Sequence, residues 1–129
     1  MELHDLVEEW VKFSRTDLDP AKFLYEKMHP RPIEIICYHA QQSVEKSLKA
    51  FLIKNDIMPP KTHDLNQLCE MCEEIDSSFN EIAAQFGSLN KYSIMLRYPF
   101  EIEIFEDETE TAISTATKLL EQIGEKLSI

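Results

Sequence analysis

The chain has 129 residues, 24 of them acidic against 13 basic, for a formal net charge of −11. So acidic a surface repels phosphate backbones, which disfavours general nucleic-acid binding, and no apolar run approaches the ~18–20 residues that span a bilayer. Two glycines argue against a turn-rich β fold and for long helices, and the length fits one domain over 1–129.

The charge is uneven. Residues 1–61 hold 9 basic against 10 acidic side chains, whereas residues 62–129 hold 4 against 14, so a local basic site is expected only in the first half. The opening MELHDLVEEW has no basic n-region of a secretory signal. Three cysteines without framework spacing fit a reducing, cytoplasmic setting.

In LHDLVEEWVKFSRTDLDPAKFLYEKM, residues Leu3, Val7, Trp10, Ser14, Leu18, Ala21, Tyr25 and Met28 recur at three- and four-residue spacing, one face of a helix. Asp19-Pro20 carries a helix-start signature inside it, but the apolar face keeps its phase across the break. The spacing predicts one long helix kinked near Arg15–Asp19, or two nearly collinear ones. HPRP, His29 to Pro32, separates this element from a second helix over about 33–55, which stops before Met58-Pro59-Pro60.

That second helix contains CYHAQQSVEKSLKAFLIKN. Projected at about 100° per residue, Ile33, Ile36, Cys37, Ala40, Val44, Leu48, Phe51 and Leu52 fill an apolar arc of about 160°. Gln41, Glu45, Tyr38, Lys49 and Gln42 form one polar stripe along its edge, with His39 and Lys46 further round the surface. On an exposed helix the Glu45–Lys49 pair contributes only ~0.3–0.5 kcal/mol. At a helix junction, each of these groups must instead meet a partner, because a buried unpaired polar group costs ~1–3 kcal/mol. Spacing alone leaves both readings open. Ile35 and Ile53, outside the core arc, suggest a second apolar contact.

THDLNQLCEMCEEI begins a third helix, with Asp64 or Thr62 as cap. Its Cys69-x-x-Cys72 lies on the apolar face and reads as core packing, because zinc requires further ligands that the sequence does not offer. Residues 79–96 read as less regular helix broken at Gly87, and Arg97-Tyr98-Pro99 as a stop. EIEIFEDE resembles a short strand without a partner. Its carboxylates read as solvated groups or as dipole partners for a last helix over about 107–127. The fold class expected is all-α, an up-and-down antiparallel bundle of four long helices and a short one.

Three segments in order, YHAQQSVEKSLKAFL, PPKTHDL and Tyr92…Arg97-Tyr98-Pro99, resemble the HEPN domain family, and the resemblance covers roughly residues 3–125. It implies a helical bundle that pairs as a homodimer. Such domains are often partnered with small nucleotidyltransferases in toxin–antitoxin-like pairs, and some members are ribonuclease toxins. Gln41, Gln42, Glu45, Lys46 and Lys49 match the family's second-helix motif, His63 and Asp64 its loop motif, and Arg97-Tyr98-Pro99 the motif before the last helix. The ribonuclease members carry an Arg followed four to six residues later by His. Here Arg97 is followed at those positions by Glu101, Ile102 and Glu103, so the proton-shuttling imidazole is missing.

The expectation is therefore a non-catalytic module without metal or cofactor. It binds a nucleotide or a nucleotidyltransferase partner through the cleft between the second and fourth helices, with Lys49 and Arg97 on an anion, Gln41 and Gln42 as hydrogen-bonding groups, and Tyr92 or Tyr98 as a stacking surface. The alternatives are a divergent ribonuclease using Arg97 with His39 or His63, and a bundle that only dimerises.

Overall fold

A computed structural model describes residues 2–94 and 103–128, with the backbone alone at 82, 83, 86–88 and 94. Among the described residues the regular structure is helical throughout: α1 (Leu3–Lys27), α2 (Ile33–Lys54), α3 (Leu65–Ile75), α4 (Asn80–Leu89) and α5 (Asp107–Leu127). Short 3-10 turns precede and follow α4. The helix continues through Gly87 and tightens only at Asn90, so the expected break at Gly87 is corrected.

Helix α1 is a single element that contains Pro20. Proline removes one backbone hydrogen bond and crowds the carbonyl four residues earlier. The helix persists because Val7, Val11, Ser14, Leu18 and Ala21 are buried on either side of that position. A turn with a cis His29–Pro30 bond then reverses the chain. Arg31 fixes this turn: its Nε donates to the Tyr25 carbonyl (2.7 Å), its guanidinium lies 4.0 Å from the Tyr25 ring centre, and Nη1 reaches Glu106 at 2.9 Å.

Helix α2 is the centre of the molecule, in contact with α1, α3, α4 and α5. Between Ile36 and Ile53 only His39, Tyr38 and Lys46 are not buried. Pairs such as Trp10 with Lys49, Ser14 with Ser47, and Asp17 with His39 set α1 antiparallel to it. Ser14 Oγ lies 2.8 Å from the Ser43 carbonyl, the Ser43 hydroxyl and the Ser47 hydroxyl. Small side chains at 14, 43 and 47 let the two helices approach closely while their hydroxyls satisfy one another. Ile53 is buried in the core cluster, so of the two isoleucines suggesting a second contact only Ile35 is exposed.

At its C-terminal end α2 closes with a Schellman turn. The amide of Ile57 donates to Leu52 O and that of Asp56 to Ile53 O, both at 2.9 Å, with Asp56 in the left-handed region at φ 61°. Asp64 caps α3 by accepting from the Asn66 amide at 3.0 Å. Phe51 and Phe79 pack with ring centres 4.8 Å apart, and Lys126 near the end of α5 reaches Asp76 at 2.6 Å and Ser78 at 2.8 Å. No helix among the described residues is long and apolar enough to cross a membrane.

Candidate functional site

The polar stripe of α2 is buried. Gln41 is fully enclosed, and Gln42, Glu45 and Lys49 are 9%, 3% and 7% exposed. At that depth each polar group requires a partner. Glu45 is the node: Oε2 takes the Lys49 ammonium at 3.2 Å, and Oε1 takes His63 Nδ1 at 2.8 Å. Gln41 reaches the His63 carbonyl through Nε2 (3.4 Å), while its Oε1 accepts from Gln42 Nε2 at 2.7 Å. Lys49 Nζ also stands 5.7 Å from the centre of the Trp10 ring, so carboxylate and indole together stabilise a cation taken out of water. The His63 side chain, by contrast, is 60% exposed. The stripe thus ties the loop before α3 to the central helix and reaches the surface at one imidazole.

A second buried carboxylate lies along the α1–α2 seam. Asp17, in the middle of α1, is 8% exposed. Its Oδ1 lies 2.8 Å from His39 Nδ1, and its Oδ2 holds the Lys46 ammonium. A carboxylate can only accept, so Nδ1 carries the proton and Nε2 is left with a lone pair when the ring is neutral. Tyr38 packs edge-on against His39, with ring centres 5.5 Å apart. His39 and Lys46, expected further round the surface, are therefore partly buried against α1.

Sequence reasoning missed Asp17, and used Trp10 and Ser14 only as marks of a helix face. The sequence does hold one signal for Asp17: it sits seven residues after Trp10 and three after Ser14, on the edge of the apolar face. Its partners are 22 and 29 residues away.

The remaining candidates divide. Asp64 caps α3 and accepts from Asn90 Nδ2 (3.1 Å), while Asn90 Oδ1 accepts from the Leu65 amide (2.9 Å); the loop motif is thereby joined to the segment after α4. Of the two expected caps Asp64 is the one used; Thr62 Oγ1 accepts from the Asp64 amide and orders the loop just before it. Tyr92 is 2% exposed and donates to Glu108 Oε1 at 2.6 Å. Its ring is a packing element, which corrects the reading of Tyr92 as a stacking surface. Burial, followed by the Glu108 carboxylate that accepts its hydrogen bond, drives the Tyr92 hydroxyl far above the ordinary phenol range. Burial works against ionisation of Glu108, but Lys91 at 2.8 Å and the Tyr92 hydroxyl outweigh it and hold the carboxyl below its usual range. Arg97, Tyr98 and Pro99, with Glu101 and Ile102, lie outside the described residues.

Cys37, Cys69 and Cys72 are free and buried. Burial pushes Cys37 up to about 11, and burial with the Glu73 carboxylate pushes Cys69 up to about 12. These thiols pack as small apolar groups. Among the described residues no cluster of three or more His, Cys, Asp or Glu is arranged to hold a metal.

An antiparallel helical bundle wound round a central helix whose polar stripe is internally paired defines the class of protein. The chain belongs to the HEPN domain family: the HEPN family model matches residues 7–127. Its fold is similar to that in the crystal structure of ST0689, an archaeal HEPN homologue, with a TM-score of 0.73 and 21% sequence identity over 94% of this chain and 97% of that chain. No curated protein matches it by sequence.

Proposed function

We propose that this HEPN domain is a non-catalytic binding module that takes a nucleotide or a small nucleotidyltransferase partner on the face formed by α1, α2 and the His63 loop. The observation that carries the reading is the Glu45 node, which fixes Gln41, Gln42, Lys49 and His63 in one connected network. A purely structural helix has little use for an enclosed glutamine pair beside an ion pair, since well-packed apolar side chains of similar volume do as well or better. Lys49 is committed to Glu45, so the groups with capacity to meet a ligand are His63, His39 and Lys46, to which Arg97 and Tyr98 are added from the sequence. The module acts in the cytoplasm as a homodimer, within a toxin–antitoxin-like pair.

Thermal unfolding of the purified chain with a panel of nucleotides, together with a pull-down against a small nucleotidyltransferase from a neighbouring reading frame, tests this. A rise in melting temperature or a retained partner, lost on His63→Ala, is expected. Absence of both rejects the reading.

A second reading is a divergent metal-independent ribonuclease in which Arg97 acts with His39 or His63. What favours it is that each histidine is oriented through Nδ1 by a buried carboxylate, as an acid–base group requires. It predicts growth arrest on expression, relieved by Arg97→Ala; harmless expression with intact RNA in vitro removes it.

A further inference from the structure

We propose that His39 is a phosphoryl-acceptor residue, positioned by Asp17 and open at Nε2 to an acyl phosphate donor. The inference stands apart from nucleotide or partner binding. A histidine accepts a phosphoryl group readily when one nitrogen is held as N–H and the other has a free lone pair at the surface, and a partly exposed cation on the same carboxylate adds positive charge to the neighbourhood. Asp17 meets the first of these. Its side chain is 11% exposed, fixed in mid-helix and braced by Lys46, and its carboxylate accepts a hydrogen bond from His39 Nδ1–H at 2.8 Å. The His39 side chain is 34% exposed, and among the described residues Nε2 has no hydrogen-bond partner.

The cation distinguishes His39 from His63, which also rests on a buried carboxylate. Beside His63, the Lys49 side chain is 9% exposed beneath Trp10 and closed off from an incoming group. Beside His39, Lys46 is 26% exposed and spans the same carboxylate. An ammonium has three donors, so binding Asp17 leaves Lys46 with donors in reach of solvent, which the enclosed Lys49 lacks. His39 also projects from the central, most enclosed helix, so its ring is carried on a rigid support.

In the reaction the Nε2 lone pair forms the N–P bond as the P–O bond to the acyl group breaks, and the carboxylate leaves with the bonding electrons. The Nδ1 proton stays where it is. The imidazole gains positive charge as the bond forms, and the Asp17 carboxylate meets that charge in place, as carboxylates do for an imidazolium in other helper roles.

The test uses the full chain and radiolabelled acetyl phosphate. One acid-labile, alkali-stable phosphoryl group per chain is expected, absent in His39→Gln and retained in His4→Gln, whose ring pairs with Glu8 at the surface of α1. Asp17→Asn should slow labelling by at least about tenfold, as loss of an orienting partner does for other histidines. It should also shift the His39 ring nitrogens in ¹⁵N NMR towards a mixture of tautomers, a change that a merely structural Asp17 would not produce. If Asp17→Asn fails to fold, the comparison of the unmodified chain with His39→Gln still decides. No label on the unmodified chain, or label that survives His39→Gln, overturns the proposal.

Discussion

At the level of single residues, Glu45 illustrates how much an enclosed charge depends on its neighbours. Its carboxylate is shared by Lys49 and His63 at 3% exposure, so removing it strands a largely buried ammonium. Glu45→Ala should lower unfolding free energy by about 3–5 kcal/mol, read from urea denaturation. The double change Glu45→Met with Lys49→Leu should recover most of that loss, because an apolar pair of similar volume avoids the desolvation cost. If the double variant is stable but no longer responds to the nucleotide or partner that the unmodified chain binds, the stripe serves binding. If it binds unchanged, the stripe is structural. Asp17 was not legible in advance, because a lone helical aspartate reads as solvated. The fact that sets its burial, the approach of His39 and Lys46, is a tertiary pairing that spacing along one helix does not record.

Among the helices, the periodic signals were the legible ones. The apolar phase kept across Pro20 allowed either one long helix or two collinear ones, of which the single α1 is found. The arc from Ile36 to Leu52 foretold the core face of α2, with Ile33 only partly buried. Less legible was that α2 is enclosed on nearly every side. Ser43 and Ser47 look like surface residues by type, but they are where α1 comes closest, through Ser14. Gly87 misled for a related reason: glycine weakens a helix by about 1 kcal/mol relative to alanine, which surrounding structure can outweigh. The end of α2 yields a sharper expectation. Asp56 occupies the left-handed position of the Schellman turn, where a β-carbon costs roughly 1–2 kcal/mol and glycine nothing. Asp56→Gly should raise stability by up to about 1 kcal/mol, since glycine's greater freedom in the unfolded chain offsets part of the gain. A fall in the urea midpoint would contradict this.

For the molecule as a whole, the buried thiols give stability a direction in pH. Cys37 and Cys69 are raised from 9.0 to about 11 and about 12, first of all by burial. The folded chain therefore keeps protons that the unfolded chain releases above about pH 9. Their stabilising contribution is complete below that pH and is lost as pH climbs through the folded values. Urea midpoints should fall steeply between pH 9 and 11, and Cys37→Ala with Cys69→Ala should flatten the slope even though the two changes lower stability overall. An unchanged slope in the double variant would assign the alkaline loss to other groups, the buried Cys72 and Tyr92 first among them. The encirclement of α2 has a kinetic counterpart as well. Helices α1, α3, α4 and α5 all lean on it, so they can loosen one at a time while it stays wrapped. In deuterated buffer the amides between Ala40 and Leu52 should be the slowest to exchange, opening only when the whole chain comes apart. A binder that clamps the His63 loop should then slow deuterium uptake around α3 while leaving that innermost set unaltered.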